Sequence, residues 1–198
     1  MYVEYPVDEV ERLHGAAVAS ERAMSYYTGR SITKASVNKF KLGYSELRDM
    51  ITIPVHSPDG MLLGFVGRSV EGKDFKNTPG LPKGKTLFNL NRVKSSKNIY
   101  VVESSFDAIR LDQCGLPAVA TLGSNVSNFQ IDLLKKYFND IMVVADNDEA
   151  GGNMVKKLKE KLTSRLSVVS LDKQYKDIGD MDDVQIKALQ SGFDKAIS

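Results

Sequence analysis

Two aspartates, Asp146 and Asp148, stand one residue apart directly after an apolar run at residues 141–145. The run is typical of a buried strand, and a turn with glycines and a Lys-rich helix follow it. In open α/β sheets, ligands bind just outside the carboxyl ends of the strands. Two carboxylates in that position suit Mg²⁺, which prefers oxygen ligands and usually shares them with substrate phosphates.

Acidic residues follow two other predicted strands. Glu103 and then Asp107 come after residues 99–102, and Asp177 and Asp180 lie in an acidic cluster after residues 167–171. Parallel strands would bring these ends to one edge of a sheet, where two metal ions about 4 Å apart clamp the attacking and leaving oxygens of a phosphoryl transfer. Asp-x-Asp before glycine also occurs in turns and helix caps. The prediction therefore depends on the occurrence of acidic residues after three strands of the same sheet. It indicates a metal-dependent enzyme that acts on phosphates.

The elements that would position these residues alternate along the second half of the chain. Apolar runs predict strands near 99–102, 117–120, 141–145 and 167–171, and helical spacing predicts helices near 105–114, 127–138, 149–163 and 182–190. Strands separated by helices of this length indicate βαβ units and a parallel sheet.

The first half of the chain has a different pattern. Helical spacing covers residues 7–28, and Ser31 or Thr33 would cap a short helix that runs to Phe40 and closes at Gly43. Two apolar runs, 50–55 and 61–66, flank a Pro-Asp-Gly turn and predict a hairpin. Residues 69–97 read as a long loop without a period. We therefore predict a mixed α+β subdomain at 1–97 and a parallel α/β domain at 98–198.

Composition bounds the class of protein. The chain is 42% hydrophobic and 26% charged, as in ordinary globular proteins, and has neither a bilayer-length apolar run nor a secretory signal. Cys114 is the only cysteine, which excludes an internal disulfide and a cysteine-based zinc site within this chain. A cytoplasmic location is expected.

Positive charge is concentrated between residues 68 and 97. This stretch holds eight basic residues and two acidic ones. A basic segment beside an acidic, catalytic-looking half suits a polyanionic substrate. The alternative is a solvated loop with ordinary surface lysines.

Two segments resemble the TOPRIM motifs, and a third resembles the segment between them. Residues 101–109, VVESSFDAI, are similar to the first motif, with Ser104 in place of its glycine. Residues 146–151, DNDEAG, are similar to the Asp-x-Asp-x-Ala-Gly motif, and residues 119–124, VATLGS, are similar to the Ala-Thr-Leu-Gly-Thr segment between the two. Their spelling resembles the DnaG-type primases of bacteria and phages more than the topoisomerases. The likeness extends upstream through residues 53–68 and 77–90, and downstream to Lys176-Asp177 with Asp180, where this copy has one extra residue. It covers roughly residues 20–185.

The resemblance implies a TOPRIM-type parallel sheet with flanking helices, preceded by the small mixed subdomain with its basic loop. It implies that Glu103, Asp146 and Asp148 hold two or more catalytic Mg²⁺ or Mn²⁺ ions, extended by Asp107, Asp177 and Asp180. Contacts to template or nucleotide phosphates would come from five further residues: Arg68, Lys73, Lys76, Asn77 and Lys83.

The implied activity is that of a primase catalytic core, a nucleotidyltransferase that makes short RNA primers from NTPs on single-stranded DNA during replication. Its partners would be the template, the NTPs, the RNA–DNA hybrid, a replicative helicase and a separate zinc-binding template-recognition module. No membrane partner is expected, and the setting is the cytoplasm of a bacterium or a phage-infected cell. Two alternatives are a TOPRIM nuclease or topoisomerase-like enzyme, and a non-catalytic DNA-binding recombination mediator. The upstream segments argue against the first alternative, and the retained carboxylates argue against the second.

Overall fold

A computed structural model describes residues 7–72 and 74–197, with side chains for 8–72 and 74–191. The chain forms two compact units, which divide between Pro82 and Lys83. The N-terminal unit contains α1 (Val7–Ala19), α2 (Glu21–Gly29), α3 (Lys34–Phe40), β1 (Gly43–Ser45), β2 (Met50–His56) and β3 (Leu62–Ser69). The C-terminal unit contains α4 (Leu90–Val93), β4 (Asn98–Val102), α5 (Ser105–Gln113), β5 (Ala118–Ala120), α6 (Asn128–Tyr137), β6 (Asp140–Val144), α7 (Glu149–Leu162), β7 (Leu166–Val169) and α8 (Asp183–Ile197).

Local capping shapes the helices of the N-terminal unit. The single helical segment predicted over residues 7–28 is wrong, because Ser20 interrupts it and accepts a hydrogen bond from Ala23 N as the N-cap of α2. Thr33 caps α3, and Lys41 in a left-handed conformation ends that helix. Gly43 does not close α3 but starts β1, where a Cβ would stand 2.5 Å from Thr52 Oγ1.

The predicted hairpin is confirmed as β2 and β3, which pair antiparallel with Ile53 opposite Val66. Strand β1 pairs with β2 and gives the order β1-β2-β3; its three residues are too short to show a period in the sequence. Residues 75–78 follow β3 back along its edge. Lys76 N donates to Gly67 O at 2.9 Å, and Thr78 N donates to Phe65 O at 2.9 Å.

The C-terminal unit is built on a four-stranded parallel sheet in the order β5-β4-β6-β7. This confirms the predicted βαβ succession. The strands are almost continuously apolar because helices cover a parallel sheet on its faces. Its core includes Val101 and Val143 of the central strands, Ile131 and Leu134 of α6, and Leu158 of α7.

The loop predicted over residues 69–97 is wrong in its second half. Residues 83–85 form one 3₁₀ turn and 90–93 form α4, and Leu87, Leu90 and Val93 belong to the core of the C-terminal unit. Phe88 exchanges both backbone hydrogen bonds with Ala120, which extends the edge of the sheet. The units therefore divide at Pro82 rather than at the predicted boundary of 97/98. No helix in the described part of the chain is long and apolar enough to cross a membrane.

Candidate functional site

The order of the strands creates a topological switch point between β4 and β6. The chain leaves β4 through α5 toward β5 on one side, and leaves β6 through α7 toward β7 on the other. Ligands of open α/β sheets bind at such a switch point, outside the carboxyl ends of the strands. Glu103 follows β4 directly and Asp146 follows β6 by two residues, so both residues stand at this switch point.

Glu103 is held in a buried position. Its side chain is 9% exposed, and its Oε1 atom is buried with no hydrogen-bond partner among the described residues. Burial, and then the charge of Asp146, raises the pKa of Glu103 to about 7. A buried carboxylate oxygen without a donor is costly, and a bound cation would satisfy it.

Gly151 lets the first turn of α7 approach Glu103. A Cβ at this position would lie 2.2 Å from the Asp146 carbonyl oxygen and 3.0 Å from Glu103 Oε1. No side chain fits there without displacement of the backbone. The glycine of the Asp-x-Asp segment therefore has a packing role at the site itself.

The two aspartates of that segment differ in environment. Burial, followed by the charges of Asp177 and Asp148, raises the pKa of Asp146 to about 6. Asp148 is exposed, and its Oδ1 accepts a hydrogen bond from Gly151 N at 2.9 Å as the N-cap of α7. The segment is thus a helix cap as well as part of the acidic cluster, and a carboxylate suits the positive end of the helix dipole.

Asp107 lies almost fully buried on α5. Ser104 Oγ donates to Asp107 Oδ2 at 2.6 Å and accepts from Asp107 N as the cap of α5. Burial raises the pKa of Asp107 to about 7, with further contributions from the charges of Asp177 and Asp146. Ser104 has an extended backbone with φ −103°, which tolerates a side chain where the related motif has glycine.

The third acidic segment divides between two roles. Asp177 caps the turn Ile178–Asp180, with Oδ1 accepting from Gly179 N at 2.8 Å, and its charge raises the pKa of both Asp107 and Asp146. Asp180 is exposed, and its Oδ2 accepts from Lys176 N at 2.8 Å. The carboxylates that raise the pKa values of the cluster are Asp146, Asp148 and Asp177, and Asp180 is not among them.

The donor set suits a hard cation. Within residues 7–72 and 74–197, no three carboxylate, imidazole or thiol groups converge closely enough to hold a metal ion by themselves. Mg²⁺ does not require such a cage, because it keeps several waters and binds through one or two carboxylates and substrate phosphates. The crowded negative charge and the unpartnered Glu103 oxygen fit an ion of that kind.

The predicted phosphate-binding residues fall in different units. Arg68 lies on β3, with its guanidinium 4.9 Å from the Phe75 ring centroid, and Lys76 and Asn77 belong to the edge segment beside β3. Lys73 lies outside the described residues. Lys83 belongs to the C-terminal unit, in the 3₁₀ turn Lys83–Lys85.

Gln130 fixes the turn that carries Lys83. Its Nε2 donates to Lys83 O at 3.0 Å, Thr86 O at 2.9 Å and Thr121 O at 2.8 Å, and its Oε1 accepts from Ser127 N at 2.9 Å. Thr121 directly follows β5, so the turn is tied to the carboxyl end of the sheet, where Glu103 also lies. We did not predict this role for Gln130, although Ser127-x-x-Gln130 is the sequence pattern of a capping box.

Two other residues of the site were missed by sequence reasoning. The positive charge of Lys176 lowers the pKa of Glu103 and of Asp146 against the larger raising effects. Asn147, between the two aspartates, bonds to the backbone of residues 171–176. The position of Lys176 directly before Asp177 could have indicated its place near the site. The partners of Asn147 are 24 to 29 residues away, so no local sequence pattern indicates them.

Comparison with known proteins matches this architecture. Residues 100–184 match the Toprim-like family. A DNA primase of Mycoplasma genitalium is 31% identical over 151 residues, which are 70% of this chain and 25% of that primase. An uncharacterised protein of the same organism is 33% identical over 172 residues, 81% of this chain and 79% of that protein.

Solved structures share the fold. The crystal structure of the zinc-binding and RNA polymerase domains of the Aquifex aeolicus primase superimposes with a TM-score of 0.81 and 23% identity, covering 96% of this chain and 59% of that one. The chain spans about a quarter of the length of the Mycoplasma primase that it matches. Together, these sequence relatives and this fold show that the chain belongs to the DnaG-type primases, with their TOPRIM domain in its C-terminal unit.

Proposed function

We propose that this chain is the catalytic core of a DNA primase, which synthesises short RNA primers from NTPs on single-stranded DNA during replication. The observation that carries the proposal is the crowding of Glu103, Asp107, Asp146 and Asp177 at the switch point of a TOPRIM sheet. Such crowded carboxylates are costly to the fold and suit a site that gathers cations with a polyphosphate.

The proposed reaction is nucleotidyl transfer. A 3′ hydroxyl oxygen attacks the α-phosphorus of an NTP and loses its proton to solvent, the bond from that phosphorus to the bridging oxygen breaks, and pyrophosphate leaves with the electron pair. Bound Mg²⁺ or Mn²⁺ ions, two or more, would lower the pKa of the hydroxyl and neutralise the leaving group. In this proposal Glu103, Asp146 and Asp148 hold the ions, and Asp107, Asp177 and Asp180 extend the acidic site.

We propose that cationic and amide side chains bind the phosphates of the template and of the NTPs. Four of them, Arg68, Lys73, Lys76 and Asn77, would contact template or nucleotide phosphates from the N-terminal unit, and Lys83 from the C-terminal unit. Phosphate contacts position a nucleic acid without reading its sequence. The fixed turn around Lys83 supports its role, because the backbone that carries this side chain is already ordered and need not be ordered when a phosphate binds.

The partners of this activity are also proposals. They are the single-stranded template, the NTPs, the RNA–DNA hybrid product, a replicative helicase and a zinc-binding template-recognition module on a separate chain or domain. The Aquifex structure combines a zinc-binding with an RNA polymerase domain, which supports the last partner. A role in replication places the chain in the cytoplasm of a bacterium or a phage-infected cell.

Extension of a short RNA annealed to single-stranded DNA, with labelled NTPs and Mg²⁺ or Mn²⁺, tests the proposal without the template-recognition step. We expect Glu103→Gln and Asp146→Asn to reduce extension by at least about 100-fold, because each removes a charge that holds the ions. Asp140→Asn is the matched control, since Asp140 begins β6 and Asp146 lies beyond the other end of that strand.

The outcome separates the alternatives. Extension by wild type and Asp140→Asn, with loss in the two site variants, supports the primase core. Cleavage of the DNA without extension would favour a TOPRIM nuclease. DNA binding with neither reaction would favour a recombination mediator. Normal extension by both site variants would refute the assignment of the carboxylates.

A further inference from the structure

Asn147, the residue between the two aspartates, ties the β6 strand end to a distant segment. Its Nδ2 donates to three backbone carbonyl oxygens, those of Leu171 at 3.3 Å, Asp172 at 3.1 Å and Tyr175 at 2.7 Å. Its backbone N donates to Lys176 O at 2.8 Å. One residue therefore holds the chain that follows β7 at four points, between 24 and 29 residues away in sequence.

The held segment leads directly to Asp177. Tyr175 N donates to Asp172 O at 2.9 Å and Lys176 N donates to Asp180 Oδ2 at 2.8 Å, so the segment has internal bonds of its own. Among the described residues, Asn147 provides the side-chain hydrogen bonds that join this segment to the end of β6. Beyond Asp177, Arg110 of α5 fixes the chain again, with Nη1 2.7 Å from Asp183 Oδ1 and Nη2 2.8 Å from Met181 O. Asp177 thus stands between two anchored stretches.

The chemistry of an amide suits this position. All three partners of Nδ2 are carbonyl oxygens, so the site requires N–H donors and has no use for an acceptor. An aspartate here would face carbonyls with its own oxygens and would add charge to a crowded acidic cluster. Asparagine supplies two N–H groups without a charge.

We propose that Asn147 is a positioning residue, which sets the segment bearing Asp177 against Asp146 so that Asp146 and Asp177 act as parts of one cation site. The proposal deepens the proposed function and rests on it for the identity of the cation. Residues that orient metal ligands from behind commonly change metal affinity by about 10- to 100-fold when they are mutated. Asn147 would belong to that class without contacting the ion.

The test compares Asn147→Ala with Asn139→Ala in the chain that contains both units. Asn139 is the matched control, because it is exposed and directly precedes β6, whereas Asn147 follows the other end of that strand. Hydrogen exchange without metal measures the tether, and calorimetric titration with Mn²⁺ measures the cation site. We expect faster exchange of the amides of residues 171–177 and about 10-fold weaker Mn²⁺ binding in Asn147→Ala only. Asn147→Gln, which keeps the amide donors, is expected to recover part of the affinity.

A double-mutant cycle separates positioning from general destabilisation. If Asn147 acts through Asp177, then Asn147→Ala adds little to the loss of Mn²⁺ affinity already caused by Asp177→Asn, because the two effects share one cause. Additive losses would overturn the proposal, and so would faster exchange with unchanged affinity. None of these measurements needs primer synthesis. A chain that binds Mn²⁺ but does not extend primers would refute the proposed function and leave the positioning role to be decided by the cycle.

Discussion

Glu103 is a residue of the site whose burial is unfavourable for the stability of the fold. Its carboxylate is buried at the end of β4 with one oxygen that has no hydrogen-bond donor among the described residues. The backbone N–H of Asp146 donates to this carboxylate, but burial of its charged form is still unfavourable and raises its pKa. The surrounding geometry nevertheless maintains it, through the close approach of Gly151 on α7. This combination is expected of a residue kept for ligand binding.

The approach of α7 to Glu103 predicts opposite effects at two neighbouring glycines. Gly151→Ala places a Cβ 2.2 Å from the Asp146 carbonyl oxygen, whereas a Cβ at Gly152 meets nothing within 4 Å. We expect Gly151→Ala to lower the free energy of unfolding by about 1–3 kcal/mol and to weaken Mn²⁺ binding. Gly152→Ala should raise that free energy by about 0.5–1 kcal/mol, since alanine is the better helix former. Denaturant unfolding and metal titration measure both, and equal effects of the two variants would contradict the packing argument.

At the scale of elements, the N-cap side chains at the carboxyl ends of the strands also position residues of the site. Ser104 caps α5 and binds Asp107, Asp148 caps α7 beside Gly151, and Ser127 with Gln130 caps α6 and holds the turn of Lys83. Each cap satisfies backbone N–H groups that would otherwise lack partners. The same side chains thereby fix the places where the charged residues leave the sheet.

The turn that carries Lys83 depends on Gln130. Gln130→Leu keeps an apolar body of similar size but removes the donors to three carbonyl oxygens and the acceptor for Ser127 N. We expect the free energy of unfolding to fall by at least about 2 kcal/mol, because several buried backbone groups lose their partner. Affinity for single-stranded DNA, measured by fluorescence anisotropy, should fall as the Lys83 turn loosens.

The control for this prediction is Gln190→Leu, on the exposed surface of α8. That variant should leave both the stability and the DNA affinity close to those of wild type, since it removes no buried hydrogen bond. Unchanged DNA affinity in Gln130→Leu, together with a clear loss of stability, would show that the turn of Lys83 does not serve nucleic-acid binding.

At the scale of the whole molecule, the acidic cluster links stability to pH. The pKa values of Glu103, Asp107 and Asp146 rise in the fold to about 7, about 7 and about 6, from ordinary values of 4.5 for Glu and 3.8 for Asp. The folded chain therefore binds these protons more tightly than the unfolded chain does. The stability that results is fully present below about pH 4 and is lost as the pH rises through about 7.

We expect the free energy of unfolding, measured in a metal chelator, to fall between pH 5 and pH 8. Mg²⁺ at pH 8 should restore part of it, because a cation bound to the folded state alone stabilises that state. Asp49, whose pKa the neighbouring Arg22 lowers to about 2, contributes no slope in this window. Glu103→Gln should flatten the dependence and Asp140→Asn should not. Stability that rises with pH in the chelator would contradict the raised pKa values.

The amino-acid sequence by itself determined the parts that depend on neighbours in the chain. Apolar runs predict β4 and β6, and the Pro-Asp-Gly turn predicts the hairpin. The positions of Glu103 and Asp146 just after two of these strands identify them as candidate site residues. These features follow from periodicity, capping and turn geometry, which act over a few residues. The motif spelling added the family, which sequence relatives and fold have now shown.

Only the tertiary structure decided which of these ends meet. Gln130 holds a turn 47 residues away, and Asn147 holds a segment 24 to 28 residues away through its side chain. The order β5-β4-β6-β7, the burial of Asp107 and the inclusion of residues 83–93 in the C-terminal unit likewise depend on contacts between distant segments. No local pattern encodes such partners, because a hydrogen bond or a packed face depends on the position of the other group in space and not on its place in the sequence.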